Sequence, residues 1–344
     1  MSLSPEIYPH AYDPSVDMVG VVRLSEAEFR NASFLDQRVL PPGREVSWAP
    51  WPALYNQVGR GRPAAGCDFI FHIGHVGSTL LSRLLGEHPA VFSLREPTPL
   101  RTLAAVEIDL DSPESLMSPE RFEARLGELI GLLSRTWRPG QKALVKATST
   151  VSALAPRLLG ADPQARALMM YSAPEAFLAW MFGARNSIQD LRMTAQLRMR
   201  RLHRAIGAQP YRLYDLSPGE FVAMSWAAEM ASLATAAAGR EARVLTVDFE
   251  RFLDAPEAAL ARAFAFLGAQ ISPAEVEALA RSPIMSRYSK APEHAYDAAL
   301  RDALLNEARS AHRSEIRSGL RWLERAAQFE AVNDALVFGA HIAH

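Results

Sequence analysis

Residues 68–97 read Asp68-Phe-Ile-Phe-His-Ile-Gly-His-Val-Gly-Ser-Thr-Leu-Leu-Ser-Arg-Leu-Leu-Gly-Glu-His-Pro-Ala-Val-Phe-Ser-Leu-Arg-Glu-Pro97, and this stretch decides the fold. The apolar run that ends at His72-Ile73 has the length of a buried strand. It meets Gly74-His75-Val76-Gly77-Ser78-Thr79, where two glycines permit a tight backbone path. Leu80, Leu81, Leu84 and Leu85 then fall at helical spacing. Strand, glycine loop and helix in this order aim backbone N–H groups and a helix N-terminus at one point, a place for a phosphate or a sulfate. Ser78 and Thr79 add hydroxyl donors where the helix begins. The loop is not a Walker A motif, which needs Gly at its first position and Lys after its last Gly. Those places hold His72 and Ser78.

The alternation continues along the chain. Strands are predicted over 67–73, 91–94, 142–146, 166–171 and 243–247. Helices are predicted near 77–86, 119–136, from about 151, and over 174–182, 190–206, 218–238 and 256–267. From Pro273 onward the chain reads as helices. Strands separated by helices imply an α/β fold, a mainly parallel sheet flanked by helices with a helical C-terminal part. Ligands of such sheets sit beyond the carboxyl ends of the strands. Gly74 to Thr79, Glu96, Lys146 and Ser172 all fall there. Residues 1–66, rich in Pro and Trp and weak in periodicity, read as an irregular segment packed on the core. Residues 67–330 read as one α/β domain and 331–344 as a tail.

The 344 residues can bury a large core. A net charge of -1 excludes a global pull toward nucleic acid or an anionic membrane. No apolar run is long enough to span a bilayer. The single cysteine, Cys67, excludes an intrachain disulfide and fits a reducing cytosol. Beside a buried strand it reads as packing rather than as a nucleophile. Met1-Ser-Leu-Ser-Pro-Glu6 has neither a basic nor an apolar region and is not read as a signal peptide, so a cytoplasmic location is expected. A homo-oligomer is left open. No Cys or acid completes ligand spacing with His72 and His75, so no metal is expected.

Gly74-x-x-Gly-Ser-Thr-Leu-Leu81 after a strand, then Glu87-His-Pro-Ala-Val91 and Glu96-Pro97, resembles the sulfotransferase family, its bacterial and tyrosylprotein-type members most of all. Leu168-Met-Met-Tyr-Ser-Ala-Pro-Glu-Ala-Phe-Leu-Ala-Trp180 is similar to the family's 3′-phosphate strand and helix. Val244 to Glu257, followed by Ala265-Phe-Leu-Gly268, is similar to its late strand, acidic turn and helix. The resemblance implies that Gly74, His75, Val76, Gly77, Ser78 and Thr79 hold the 5′ end of the sulfate donor PAPS. It implies that Glu96 is the general base, and that Lys146 with His75 steadies the transferring sulfuryl group. Ser172 falls in the 3′-phosphate site, and Lys290 in a polar loop that closes over the donor. The family has Lys or Arg where this chain has His75, and an Arg and a Ser where it has Ser172 and Trp180. A serine hydroxyl does not replace a bidentate guanidinium. Lys290 and Arg287 are candidates to do so.

The physics of each residue type agrees with these roles. A carboxylate can accept the proton as a hydroxyl attacks, and a cation at a strand end stabilises developing negative charge. Glu96 could instead pair with Arg95 or Arg101. Arg185, Arg192, Arg198, Arg200, Arg201 and Arg204, with His203, read as a solvated helix face, with steering of an anionic ligand as the alternative. Three functions follow. The first is sulfuryl transfer from PAPS to a hydroxyl or amine of a small-molecule or peptide acceptor. The second is nucleotide-dependent phosphoryl transfer on the same fold. The third is a non-catalytic binding protein whose donor site is occluded by Trp180.

Overall fold

The computed structural model describes residues 5–41, 43–58, 66–184, 187–287 and 297–340. The strands are β1 Ile7–Asp13, β2 Met18–Arg23, β3 Ser47–Pro50, β4 Asp68–His72, β5 Val91–Arg95, β6 Lys142–Lys146, β7 Ala167–Tyr171 and β8 Val244–Asp248. The last five form one parallel sheet in the order β5-β6-β4-β7-β8. Every residue of β4, β5 and β7 is buried. Parallel strands covered by helices on both faces are buried along their whole length, which their largely apolar sequences allow. The fold is thus the α/β architecture that the alternation predicts, and the described residues of its C-terminal part form the helices Pro273–Ala280, Ala298–Ala311, Arg313–Ala326 and Glu330–Ala340.

Register places the site. Arg95 pairs with Lys146 across β5 and β6, so Glu96 follows directly at the same sheet edge. His72 on β4 pairs with Met170 on β7, and Tyr171 with Asp248 on β8. The residues after these strands therefore converge beyond one end of the sheet. At the opposite end, Asp68 opens β4 with its carboxylate on Lys142 Nζ (2.7 Å) and on the Arg166 amide (2.8 Å). Burial raises the pKa of that carboxyl.

The N-terminal part departs from the irregular segment that its composition suggests. It is a three-stranded antiparallel sheet, β1-β2-β3, with helices Glu26–Asn31 and Trp51–Val58. Pro9 sits where the β1–β2 register slips, and Pro50 ends β3, so neither breaks the pairing. Those prolines interrupt the alternation that would otherwise have marked the strands. The sheet is tied down by Asp17, whose carboxylate takes two N–H bonds from Arg125 (2.9 and 2.7 Å) and pairs with Arg121 (2.9 Å). Trp51, fully buried, donates from Nε1 to Glu128 (2.7 Å).

Two further expectations change. The helix over 190–206 is two, Ser187–Met193 and Ala195–Ile206, broken at Thr194. The segment read as a tail is the helix Glu330–Ala340, which packs on Pro218–Ala237 with Val332 and Ala335 buried. Its two buried positions are three apart, a stripe too narrow to stand out in a terminal sequence. Cys67 is buried, and burial pushes its thiol pKa up, which fits packing. Among the described residues no helix is long and apolar enough to cross a membrane.

Candidate functional site

The strand ends open into a cavity of about 310 Å³. Its floor is the loop Gly74–Thr79. His72 staples that loop to the sheet: its Nε2–H donates to the Ala147 carbonyl (2.8 Å), and its Nδ1 accepts the Gly74 N–H (3.0 Å). A carbonyl only accepts and an amide N–H only donates, so the two contacts fix the tautomer. The path then turns left-handed at Gly74 (φ 91°), His75 (φ 56°) and Gly77 (φ 66°). Gly77 caps the helix Ser78–Glu87 and offers no side chain to its first amides. Those N–H groups have no partner within the helix. Phe249, the first residue of the helix after β8, lies over Gly77, and a Cβ there would come within 2.0 Å of its ring.

Among the described residues, two of the three non-glycine residues with positive φ are His75 and Glu96, and both line the cavity. Such strain persists only where the surrounding structure over-determines it, and it clusters at functional sites. Glu96 (φ 59°) is held twice by β6: its N–H donates to the Lys146 carbonyl (2.7 Å), and its carboxylate takes the Lys146 Nζ. Lys146 is fully buried, with its ammonium 5.4 Å from the Phe34 ring centroid. The fold thus brings Glu96 and Lys146 into contact, and it is Glu96 that reaches the cavity wall. His75 Nε2 stands 3.6 Å from Asp190 Oδ2.

Ser172 does not face the cavity. Its hydroxyl donates to Glu250 (2.8 Å), and its carbonyl accepts from Trp226 Nε1 (3.0 Å). Glu250 in turn takes a guanidinium from a later helix. Arg301, on the helix Ala298–Ala311, lies between the rings of Trp180 and Phe249, 4.8 and 4.6 Å from their centroids. Its Nη2 donates to the other oxygen of Glu250 (2.6 Å). Arg301 is 2% exposed, lines the cavity, and has no partner for its buried Nε–H among the described residues. Trp180 therefore lines an open cavity, with a cation stacked on it, rather than filling the site. Lys290 lies outside the described residues, while Arg287 lines the cavity.

The arginine cluster is not a uniformly solvated face. Arg200 and Arg204 are exposed and pair with Asp109 and Glu107. Arg198 and Arg201 are 4% and 7% exposed and share the fully buried Glu229 (2.9 and 3.1 Å). Arg198 also lines the cavity, and burial lowers its pKa from the usual arginine value. Sequence reasoning missed Arg301 and the depth of Arg198. Glu229, a single acid within the Ala- and Met-rich run 222–237, was the available signal for the second.

In all, Arg101, Arg198, Arg287 and Arg301 line the cavity against Glu96, Asp190 and Asp297. Behind the wall Glu96 is matched by Lys146 and Arg301 by Glu250, while Arg198 shares Glu229 with Arg201, so guanidinium groups face the cavity although the chain is near neutral. Thr79 Oγ1 and Thr150 Oγ1, both buried in its wall, have no partner among the described residues. Orphaned hydroxyls and guanidinium groups around a glycine-floored cavity suit a ligand with several anionic oxygens.

No protein-family model and no curated protein matches the chain. Among solved structures it is similar to the sulfotransferase domain from the curacin biosynthetic pathway, at 14% identity over 72% of this chain and 98% of that one, TM-score 0.42. It is similar to the sulfotransferase domain of the Synechococcus PCC 7002 olefin synthase, at 18% identity over 72% and 90%, TM-score 0.41. It is also similar to sulfotransferase STF9 from Mycobacterium avium, at 14% identity over 76% and 80%, TM-score 0.42. Likenesses of this size leave the reading of the site to rest on the geometry of this chain.

Proposed function

We propose that the chain is a sulfotransferase-like enzyme that moves a sulfuryl group from PAPS to a hydroxyl or amine acceptor. The observation that carries this reading is Glu96. Its carboxylate is held at the cavity wall by a strained backbone and a buried lysine, at the strand edge next to an anion-binding loop. A base fixed beside an anion cradle suits attack by a neutral nucleophile on an anionic donor.

The residues present fit the donor. The amides that open the helix Ser78–Glu87 and the orphaned Thr79 hydroxyl would hold its 5′ end. Arg301, whose Nε–H is unpartnered, would hold its 3′-phosphate in place of the family's arginine. When bound, the donor supplies the sulfuryl group on a phosphate–sulfate anhydride. Glu96 takes the proton of the attacking hydroxyl or amine. Lys146 orients that carboxylate and adds positive charge behind the reacting centre. Phe249 and Trp180 wall the cavity with apolar surface and limit entry of water, which would compete as acceptor.

A thermal-shift panel tests the reading with the desulfated donor nucleotide, ATP and GTP, each with and without magnesium. Stabilisation by the desulfated donor alone, independent of magnesium, is the expected result. Stabilisation by ATP or GTP only with magnesium would move the protein to phosphoryl transfer, and no shift at millimolar nucleotide would sink both. Glu96→Gln should keep the nucleotide shift and lower transfer by roughly 10²–10⁴-fold, read as release of desulfated nucleotide from PAPS with pooled acceptors. Lys146→Ala should abolish that release.

A further inference from the structure

The donor reading leaves one side of the cavity unexplained. Arg198, Arg201 and Glu229 form a buried group in which two cations share one carboxylate. An excess positive charge away from water is costly unless something anionic meets it. Among the described residues, three of the five N–H bonds of Arg198 are engaged: Nε on Glu229, Nη1 on Thr194 Oγ1 and Nη2 on Ser149 Oγ (3.3 Å). Arg198 lines the cavity, and so does Thr150, whose buried hydroxyl is unpartnered. The other charged groups on this wall are Asp190, which is exposed and acts on Arg198 only from the solvent side, and His75, 3.6 Å from it.

Position says which ligand this is for. The donor's contacts proposed above come from the β4 loop and from Arg301. Thr150 instead follows β6, four residues beyond the Lys146 that holds Glu96, so the subsite lies between the strand end that carries the base and the loop, where Ser149 Oγ stands 3.6 Å from the Cβ position of Gly74. Leu191 and Met193 on the helix Ser187–Met193 give that side an apolar rim. We propose that Arg198 and Thr150 form a second anion subsite that takes a carboxylate, or an equivalent anionic oxygen group, of the acceptor. The acceptor is then a hydroxyl or amine compound with an acidic group on an apolar body. As a statement about the acceptor this rests on the proposed function; the anion subsite itself does not.

Acetate is the probe. The melting temperatures of wild type, Arg198→Gln and Thr150→Val are measured from zero to 200 mM acetate, with chloride holding ionic strength constant. The series is run with and without saturating desulfated donor nucleotide. The expected result is a rise of about 1–2 °C in wild type whether or not nucleotide is present, and a flat response in both variants. Thr150→Val removes only an unpartnered hydroxyl, so it remains informative if Arg198→Gln does not fold. A flat wild-type response overturns the subsite, as does an unchanged response in Thr150→Val. An acetate response that nucleotide abolishes assigns the anion to the donor and overturns the acceptor class. Failure of nucleotide to bind sinks the proposed function instead, and the nucleotide-free series still reads the subsite.

Discussion

At the scale of single residues, the account turns on backbone conformations that most side chains avoid. Gly77 is the clearest case. Its φ of 66° and the Phe249 ring within 2.0 Å of any added Cβ leave room for glycine alone. Gly77→Ala is expected to cost roughly 2–4 kcal/mol in denaturant unfolding, through strain and overpacking, and to displace the first amides of the cradle. An unfolding midpoint equal to wild type would mean that Phe249 does not cover the loop. Glu96 and Lys146 were legible in the sequence because each ends a strand, and parallel neighbours bring their ends together. Arg301 was not legible. Its helix follows all five strands of the parallel sheet, and nothing local to it signals that it returns over Trp180 and Phe249.

Elements carry the ties between parts of the molecule. The N-terminal sheet meets the helix Pro119–Leu133 through Asp17, and its bonds with Arg125, then Arg121, hold the Asp17 carboxyl at about 2. A lowered carboxyl pKa stabilises the fold fully above the unfolded value, near 4, and that contribution is lost as pH falls through the folded value. Asp17→Asn keeps a residue that tolerates φ 54° and removes the charge. It should cost on the order of 2 kcal/mol at pH 7, and the gap to wild type in urea unfolding should shrink by about half at pH 3. A gap independent of pH would show that the pair does not anchor the sheet. Between the helices Ala195–Ile206 and Pro218–Ala237, Glu229 holds two buried arginines. Glu229→Gln should destabilise by about 3–5 kcal/mol, because it leaves those charges uncompensated. A loss below 1 kcal/mol would show that water reaches the cluster. Charges at helical spacing read as a solvated face, and here the partner on another helix reversed that reading for two of them.

Across the whole molecule, the five-stranded parallel sheet was legible because apolar runs, turn signals and intervening helices agreed along residues 67–267. The N-terminal sheet was not, since prolines at a register slip and a strand end hide its alternation. Sheet order is also absent from a linear pattern, yet it decides the chemistry: β6 between β5 and β4 sets Lys146 beside both Glu96 and the loop. The central claim is that these strand ends, with Arg301 over them, hold a nucleotide carrying a 3′-phosphate. The most direct measurement is calorimetric titration of wild type and Arg301→Met with the desulfated donor nucleotide and with the same nucleotide lacking its 3′-phosphate. The account predicts at least tenfold tighter binding of the 3′-phosphorylated form by wild type, and loss of that preference in Arg301→Met. Equal binding of the two nucleotides by wild type, or no binding of either at millimolar concentration, would contradict it.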